Sequence, residues 1–295
     1  MGFRLAIRGA RCGAATRGAR VGALILLSGL ACGIASAACA QGRLEARYTA
    51  SVAGIPVGRG SWMIDIGQNQ YTAAASGRVV GLLKILSNGE GTVAARGGIE
   101  GGRLLPAGYS SRVTVDGKVD EVRLALAAGA ITEAVVEPPT PPVPDRVPIA
   151  DAHRRGVLDP MSAQLMVVGG SGDPVSPDAC RRTLPIFDGR QRFDLTLTFK
   201  RFDKVKAEKG YQGPVVVCMV TYQPVAGHRP GRAAIKYLVA TRDMEMWLAP
   251  IAGTRVVVPF RASVPTLIGQ AVLEATQFVT IPQASPANSA SLKTD

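Results

Sequence analysis

From residue 43 to residue 280 the chain is a run of short extended segments separated by turn-forming residues, and little of it falls at helical spacing. "RLEARYTASV" alternates about a strand axis, "AGIPVG" turns the chain at a Gly-Pro pattern, and "GSWMIDI" returns, which is the pattern of a hairpin. "YTAAASGRV", "GTVAARGGI", "GYSSRVTVDG", "KVDEVRLALAAG" and "AITEAVVE" extend the meander, with Asp116-Gly117 as the strongest hairpin signal in the chain. A second set of strands reads from "CRRTLPIFDG", "QRFDLTLTFKRFD", "GPVVVCMVTYQPV", "AAIKYLVATRD", "EMWLAP", "TRVVVPFRASV" and "GQAVLEATQFVTI". Between the two sets lies "PPTPPVPDRVP", with six prolines in residues 138–148. Proline cannot donate to a ladder, so this stretch is a connecting loop between halves rather than a central strand.

Two stretches do show helical spacing. In "VVGLLKILSN", Val80, Leu83 and Leu86 share one face, which predicts a short helix near 80–88. In "LDPMSAQLMVV", Asp159 caps, Pro160 takes the first helical position, and Met161, Leu165 and Val168 set an apolar stripe over 160–168. Each stripe must be buried against the sheet. "YTAAASGRV" and "VRLALAAGA" are rich in alanine and glycine, which leaves room beneath such helices. The expected fold is mainly β: a strongly curved antiparallel sheet, half-barrel or spiral-like, with two or three short helices. The β domain is expected over 41–281, and the polar "PQASPANSASLKTD" that ends the chain reads as a disordered tail over 282–295.

Residues 1–40 have a different character. Arg4, Arg8, Arg11, Arg17 and Arg20 precede the apolar run "VGALILLSGLACGIASA", no acid interrupts them, and Ala38-Cys39-Ala40 forms a small-residue cleavage site. That is the pattern of a secretory signal peptide cut before Gln41. The expected location is the periplasm of a Gram-negative bacterium, with no transmembrane span after cleavage. Cleavage would remove Cys12, Cys32 and Cys39 and leave Cys180 and Cys218, an even pair in an oxidising compartment, for which a disulfide is the default. It would also take five of the 34 basic residues, leaving 29 against 22 acidic ones, a balance of +7. With no arginine-rich helix or aromatic stripe beside it, that modest charge does not read as nucleic-acid binding.

No residue constellation announces a reaction. His153, in "DAHRRG" beside Asp151, lacks a nucleophile in context, and "GGSGD" lacks the closing glycine of a nucleophile elbow. His228 reads as a turn residue in "VAGHRPG", and "GRGSWM" and "GEGTVA" lack the third glycine of a dinucleotide loop. "DGRQRFD", with Asp188 and Asp194, carries too few oxygens for calcium, and two cysteines with two distant histidines are too few for zinc. The expectation is a non-enzyme with no metal and no cofactor. Trp62 and Trp247 read as core, with a pocket wall as the alternative. The expected activity is binding or carriage of an apolar or lipid-like ligand in a groove on the curved sheet. Its rim would be Lys84 and the basic stretch Lys200, Arg201, Lys204, Lys206 and Lys209, chosen by charge alone. The alternative is a structural protein that supports the cell envelope through contacts with other envelope proteins.

"GVLDPMSAQLMV", "CRRTLPIFDGRQRFDLTLTFK", "YQGPVVVCMVTYQPVAGHRP" and "MEMWLAPIAGTRVVVPFRASVPTLIGQAVLEATQF" resemble the bacterial domain of unknown function 3108 family, over residues 43–280. The resemblance covers the aspartate-proline helix start, the "FDGRQRFDL" strand and both remaining cysteines. It implies an exported protein and brings no assigned activity. At the level of fold it is similar, more distantly, to the curved half-barrels of periplasmic lipoprotein carriers.

Overall fold

Four tight turns set the first half of the sheet, one of them the glycine pair Gly101-Gly102 and three with a non-glycine residue first. In each, both central residues have positive φ: Ala53 and Gly54, Gly101 and Gly102, Asp116 and Gly117, Ala128 and Gly129. Paired left-handed residues give turns whose twist matches that of antiparallel strands. The first turn therefore sits at Ala53-Gly54, and Pro56 belongs to the returning strand rather than to the turn. The computed structural model describes residues 41–81 and 88–283. Residues 1–40 with their three cysteines, Lys84 with most of the stretch 80–88 expected as a helix, and residues 284–295 of the expected tail lie outside these described residues.

The strands in chain order are β1 (Gly42–Val52), β2 (Ile55–Ile66), β3 (Gln70–Val79), β4 (Gly89–Glu100), β5 (Arg103–Val115), β6 (Lys118–Ala127) and β7 (Ala130–Glu137). After the proline-rich loop come β8 (Met166–Val167), β9 (Arg182–Phe187), β10 (Arg192–Lys206), β11 (Lys209–Gly210) and β12 (Gln212–Ala226). A helix, α1 (Ala233–Ala240), precedes β13 (Met244–Pro250), β14 (Val256–Thr266) and β15 (Gly269–Pro282). They form one sheet in the order β7-β6-β5-β4-β3-β2-β1-β15-β14-β13-β12-β10-β9, with β8 paired to β14 and β11 to β15. Every pairing along that path is antiparallel. The strand expected to end at 281 runs to Pro282.

No ladder joins β7 to β9, so the sheet is not closed. Both edges nevertheless bond to one short segment. Ala130 of β7 bridges Arg155, the Val157 amide donates to the Gly129 carbonyl at 2.9 Å, and Leu158 bridges Ile186 of β9. Strands are spaced at about 4.8 Å, so a flat sheet with this strand order would hold its edges more than about 50 Å apart. The sheet therefore bends far enough to bring both edges to residues 155–158. Phe187 and Val157, both buried, pack there against Val122, Leu124 and Leu126 of β6. β12, β13 and β14 are buried on both faces. Val215, Val217 and Trp247 join β1–β4 in one cluster, while Val216, Cys218 and Leu248 meet residues 163–180 and β9 in another.

Two expected elements change type. Residues 160–168 form no α-helix: Ser162–Gln164 make a single 3-10 turn, and Met166–Val167 become β8. The reason is the N-terminal half of β14, which β15 leaves unpaired along one edge and where Val256 and Val257 take Val167 and Met166 as ladder partners. Ladder bonds to a sheet outweigh the weak preference of one helical turn. Conversely, "AAIKYLVA", expected as a strand, is the one α-helix among the described residues. Its alanine-rich composition favours helix, and Leu238 packs from it onto the outer cluster of β12 and β13.

Candidate functional site

Glycine at every second position of a strand removes side chains from one face only. Gly58 and Gly60 alternate in this way on β2, and Gly89 and Gly91 on β4; Gly77 lies between them on β3. The register aligns them. Tyr48, Gly60, Gly77, Gly91 and Val113 form one row across β1–β5. Ala50, Gly58 and Val79 lie in the next row outward, as do Gly89 and Val115. On the other side of the glycine row are Trp62, Ala75 and Val93. The missing side chains leave an apolar groove of about 670 Å³. Its far wall is supplied by Pro160, Met161 and Gln164, with Pro259, Ala262 and Leu273 of β14 and β15. That volume lies within the roughly 300–1,000 Å³ of pockets that enclose small organic ligands.

The wall at 160–164 is pinned from below. Asp159 is fully buried, and its Oδ1 accepts the amides of Met161 and Ser162 at 3.0 and 2.8 Å. Ser162 Oγ lies 2.7 Å from the hydroxyl of Tyr71 on β3. Asp159 Oδ2 has no hydrogen-bond partner. Burial pushes the Asp159 carboxyl above its ordinary range, against the lowering effect of its hydrogen bonds from Ser162 and Met161. Burial likewise raises the Tyr71 hydroxyl. Two polar groups on groove-wall residues, the first of them buried, have no strong commitments. The Trp62 indole N–H has no partner, and the Gln164 amide reaches only the Pro160 carbonyl, at 3.4 Å. Tyr48, by contrast, donates to the Pro259 carbonyl at 2.7 Å and ties the two walls together.

The carboxyl sets a pH signature. A folded-state pKa above the unfolded value means that the folded protein holds this proton more tightly. The Asp159 contribution to stability therefore falls as pH rises from about 3.9, the unfolded value. Asp159→Asn keeps an acceptor for both amides and removes the buried charge. It is expected to match or exceed the wild type in stability at neutral pH, with the difference shrinking below pH 4. Asp159→Ala loses both hydrogen bonds and should cost about 2 kcal/mol. Urea titrations of both variants across pH check the sign, and an Asn variant as unstable as the Ala variant would contradict it.

The sequence-chosen residues are distributed otherwise. Cys180 and Cys218 are disulfide-bonded, with Cα atoms 5.4 Å apart and both residues buried. Lys200, Arg201, Lys204 and Lys206 lie on β10 and Lys209 on β11, rather than in a loop, and none of the five lines the groove. Lys200 and Arg201 both bind Glu245, Arg201 through bonds of 3.1 and 2.9 Å. Arg201 and Arg261 also stack over Trp247, whose indole donates to Asp203 at 2.9 Å. Trp247 and Trp62 are both core, in one buried cluster, and Trp62 also forms part of the groove wall. Asp188 caps the β9–β10 turn by accepting the amides of Arg190 and Gln191. His153 accepts the Ala150 amide in a 3-10 turn. Sequence reasoning pointed to small residues in β3 but missed the aligned glycines. The signal available was the Gly-x-Gly spacing at 58–60 and again at 89–91.

A family model described as "Protein of unknown function (DUF3108)" matches residues 47–276. No curated protein matches the chain. Among solved structures, a crystal structure described as a beta-barrel-like protein of domain of unknown function DUF1849 from Brucella abortus is similar. It is 10% identical, the alignment covers 83% of this chain and 99% of that one, and the TM-score is 0.44.

Proposed function

This chain belongs to the DUF3108 family, and we propose that it is an exported, non-catalytic envelope protein that binds or carries an apolar, lipid-like ligand in the glycine-lined groove. On this reading the bent sheet is a half-barrel cup, and the ligand lies across Gly60, Gly77 and Gly91, against Trp62 and Met161. The observation that carries it is the aligned glycine row. Glycine weakens a strand interior by entropy and lost packing, so five of them on one face of three adjacent strands favour space over stability. The walls are aliphatic and aromatic, and the few polar groups suit one headgroup contact rather than a reaction. The arginine-rich leader and small-residue cleavage site support export to the periplasm, where such ligands move between membranes.

Gly77→Phe tests the reading. A Cβ at Gly77 meets its nearest atom, the Arg59 carbonyl oxygen, at 3.6 Å, an ordinary contact, so the strand accepts a side chain that then fills the groove. Gly60 is less suitable, because a Cβ there would lie 2.8 Å from the Ser76 carbonyl oxygen. Ala74 is also unsuitable, since it faces outward and is exposed. Native mass spectrometry of wild-type protein purified from its own envelope is expected to show a co-purifying lipid. Gly77→Phe is expected to lose that adduct while keeping its circular dichroism. An adduct retained by the variant, or absent from the wild type, overturns the groove as a ligand site.

A further inference from the structure

The groove opens at one end of the sheet, and the loops at that end are unlike ordinary surface turns. Ile268 is 78% exposed, Leu267 61% and Ile55 56%, among the most exposed large apolar side chains of the described residues. All three sit on two neighbouring hairpins. The Ala53 amide donates to the Gln270 carbonyl at 2.9 Å, and Gly269 packs directly against Ala53. No charged residue occurs in 52–56 or in 266–270. The apolar surface then continues inward. Leu273 and Val115, each 42% exposed, line the groove just behind the tips. Isolated apolar residues on a surface are common, but a contiguous patch marks a place of contact.

A second observation concerns charge. Arg59 and Arg78 stand directly opposite each other on the outer faces of β2 and β3. Like charges in that position repel. Among the described residues neither guanidinium has a hydrogen-bond or ion-pair partner, although Glu90 stands opposite Arg78 on the next strand without bonding to it. The pair therefore leaves donors open to an anion from outside the chain.

We propose that this end of the molecule docks on an anionic lipid bilayer, with Leu267, Ile268 and Ile55 entering the interface and Arg59 and Arg78 meeting phosphate headgroups. Apolar tips flanked by basic side chains are the chemistry of interfacial binding. The inference rests on the groove reading, since docking in this orientation sets the groove mouth against the membrane.

Co-sedimentation with vesicles tests it, using phosphatidylcholine alone and phosphatidylcholine mixed with phosphatidylglycerol. The wild type should bind the mixed vesicles, and Leu267→Ser/Ile268→Ser should weaken binding about tenfold or more as two aliphatic side chains leave the interface. Arg59→Ser/Arg78→Ser should abolish the preference for the anionic vesicles, while a control with Lys204→Gln/Lys206→Gln should not. Gly77→Phe should bind vesicles as the wild type does, so the two readings can fail separately: vesicle binding without a retained lipid sinks only the groove, and a retained lipid without vesicle binding sinks only the docking. Vesicle binding unchanged by the tip substitutions overturns the proposal. So does a concentration-dependent dimer that those substitutions abolish in a protein that ignores vesicles, which would give the surface to a second copy of the chain.

Discussion

Reducing the bond between Cys180 and Cys218 is expected to lower the unfolding free energy by about 4 kcal/mol, the chain-entropy value for a closed loop of this length. The sequence separation is 38 residues. The bond joins the 3-10 turn Pro177–Cys180 to the middle of β12, and β10 lies between β9 and β12 in the sheet. It therefore anchors the segment that covers the outer face of the second half. Both sulfurs sit in the cluster of Val216, Leu248, Met246 and Ala179, so reduction leaves the folded packing nearly intact and acts on the unfolded chain. The effect should appear as a lower urea midpoint in reductant. Hydrogen exchange should rise first over residues 163–181 and β9, and only later over β1–β5. Two thiols alkylated in the non-reduced native protein would refute the bond, and equal urea midpoints would refute its contribution.

The second large effect is expected at the seam between the sheet's edges. Phe187→Ala should cost about 3–5 kcal/mol, the range for removing a buried aromatic side chain from a packed core. Phe187 is fully buried between β6 and Val157, with the Arg154 guanidinium 6.0 Å from its ring centroid. The two edges lack a ladder, so these side chains and a few backbone bonds through 155–158 hold them together. Arg190 adds a polar stitch, reaching Asp120 at 2.9 Å and the Pro138 carbonyl at 3.1 Å. Loss of the ring should release β6 and β7 locally before the whole domain unfolds. Exchange protection at Val122–Leu126 would fall further than protection at Val215–Val217. Phe187→Leu, which keeps most of the volume, should cost well under half as much. A Phe187→Ala variant with unchanged exchange in β6 and β7 would mean that the seam is held elsewhere.

The groove and the seam belong to one design. A sheet that bends this far needs something inside it, and most of the interior is filled by Leu44, Ile64, Tyr71, Phe260 and Phe278. Only toward the hairpin tips at Ala53-Gly54 and Leu267-Ile268 do the filling side chains give way to glycine. The position of the groove is therefore written in the strand rows and not in the loops.

Local chemistry in the sequence determined most of the strands, turns such as Asp116-Gly117 and the cysteine pair, although "AAIKYLVA" reads as a strand and folds as α1. Paired turn residues such as Asp116-Gly117 reverse a chain wherever they stand, and alternation within a strand needs no distant partner to be read. The period-two glycines were legible in the same way, although only as gaps. Tertiary structure decided what those gaps face. Register alone aligned Gly60, Gly77 and Gly91 into one row, because strand neighbours come from turn geometry and long-range pairing rather than from local preference. Tertiary pairing also overrode helical spacing at 160–168, where the free edge of β14 supplied ladder partners to Met166 and Val167. The basic residues at 200–209 show the limit most clearly. Their charge was plain in the sequence, but that none of them lines the groove, and that Lys200 and Arg201 meet Glu245, depended on strands more than forty residues distant. Composition gives the sign of a charge, and only the packed sheet gives it a neighbour.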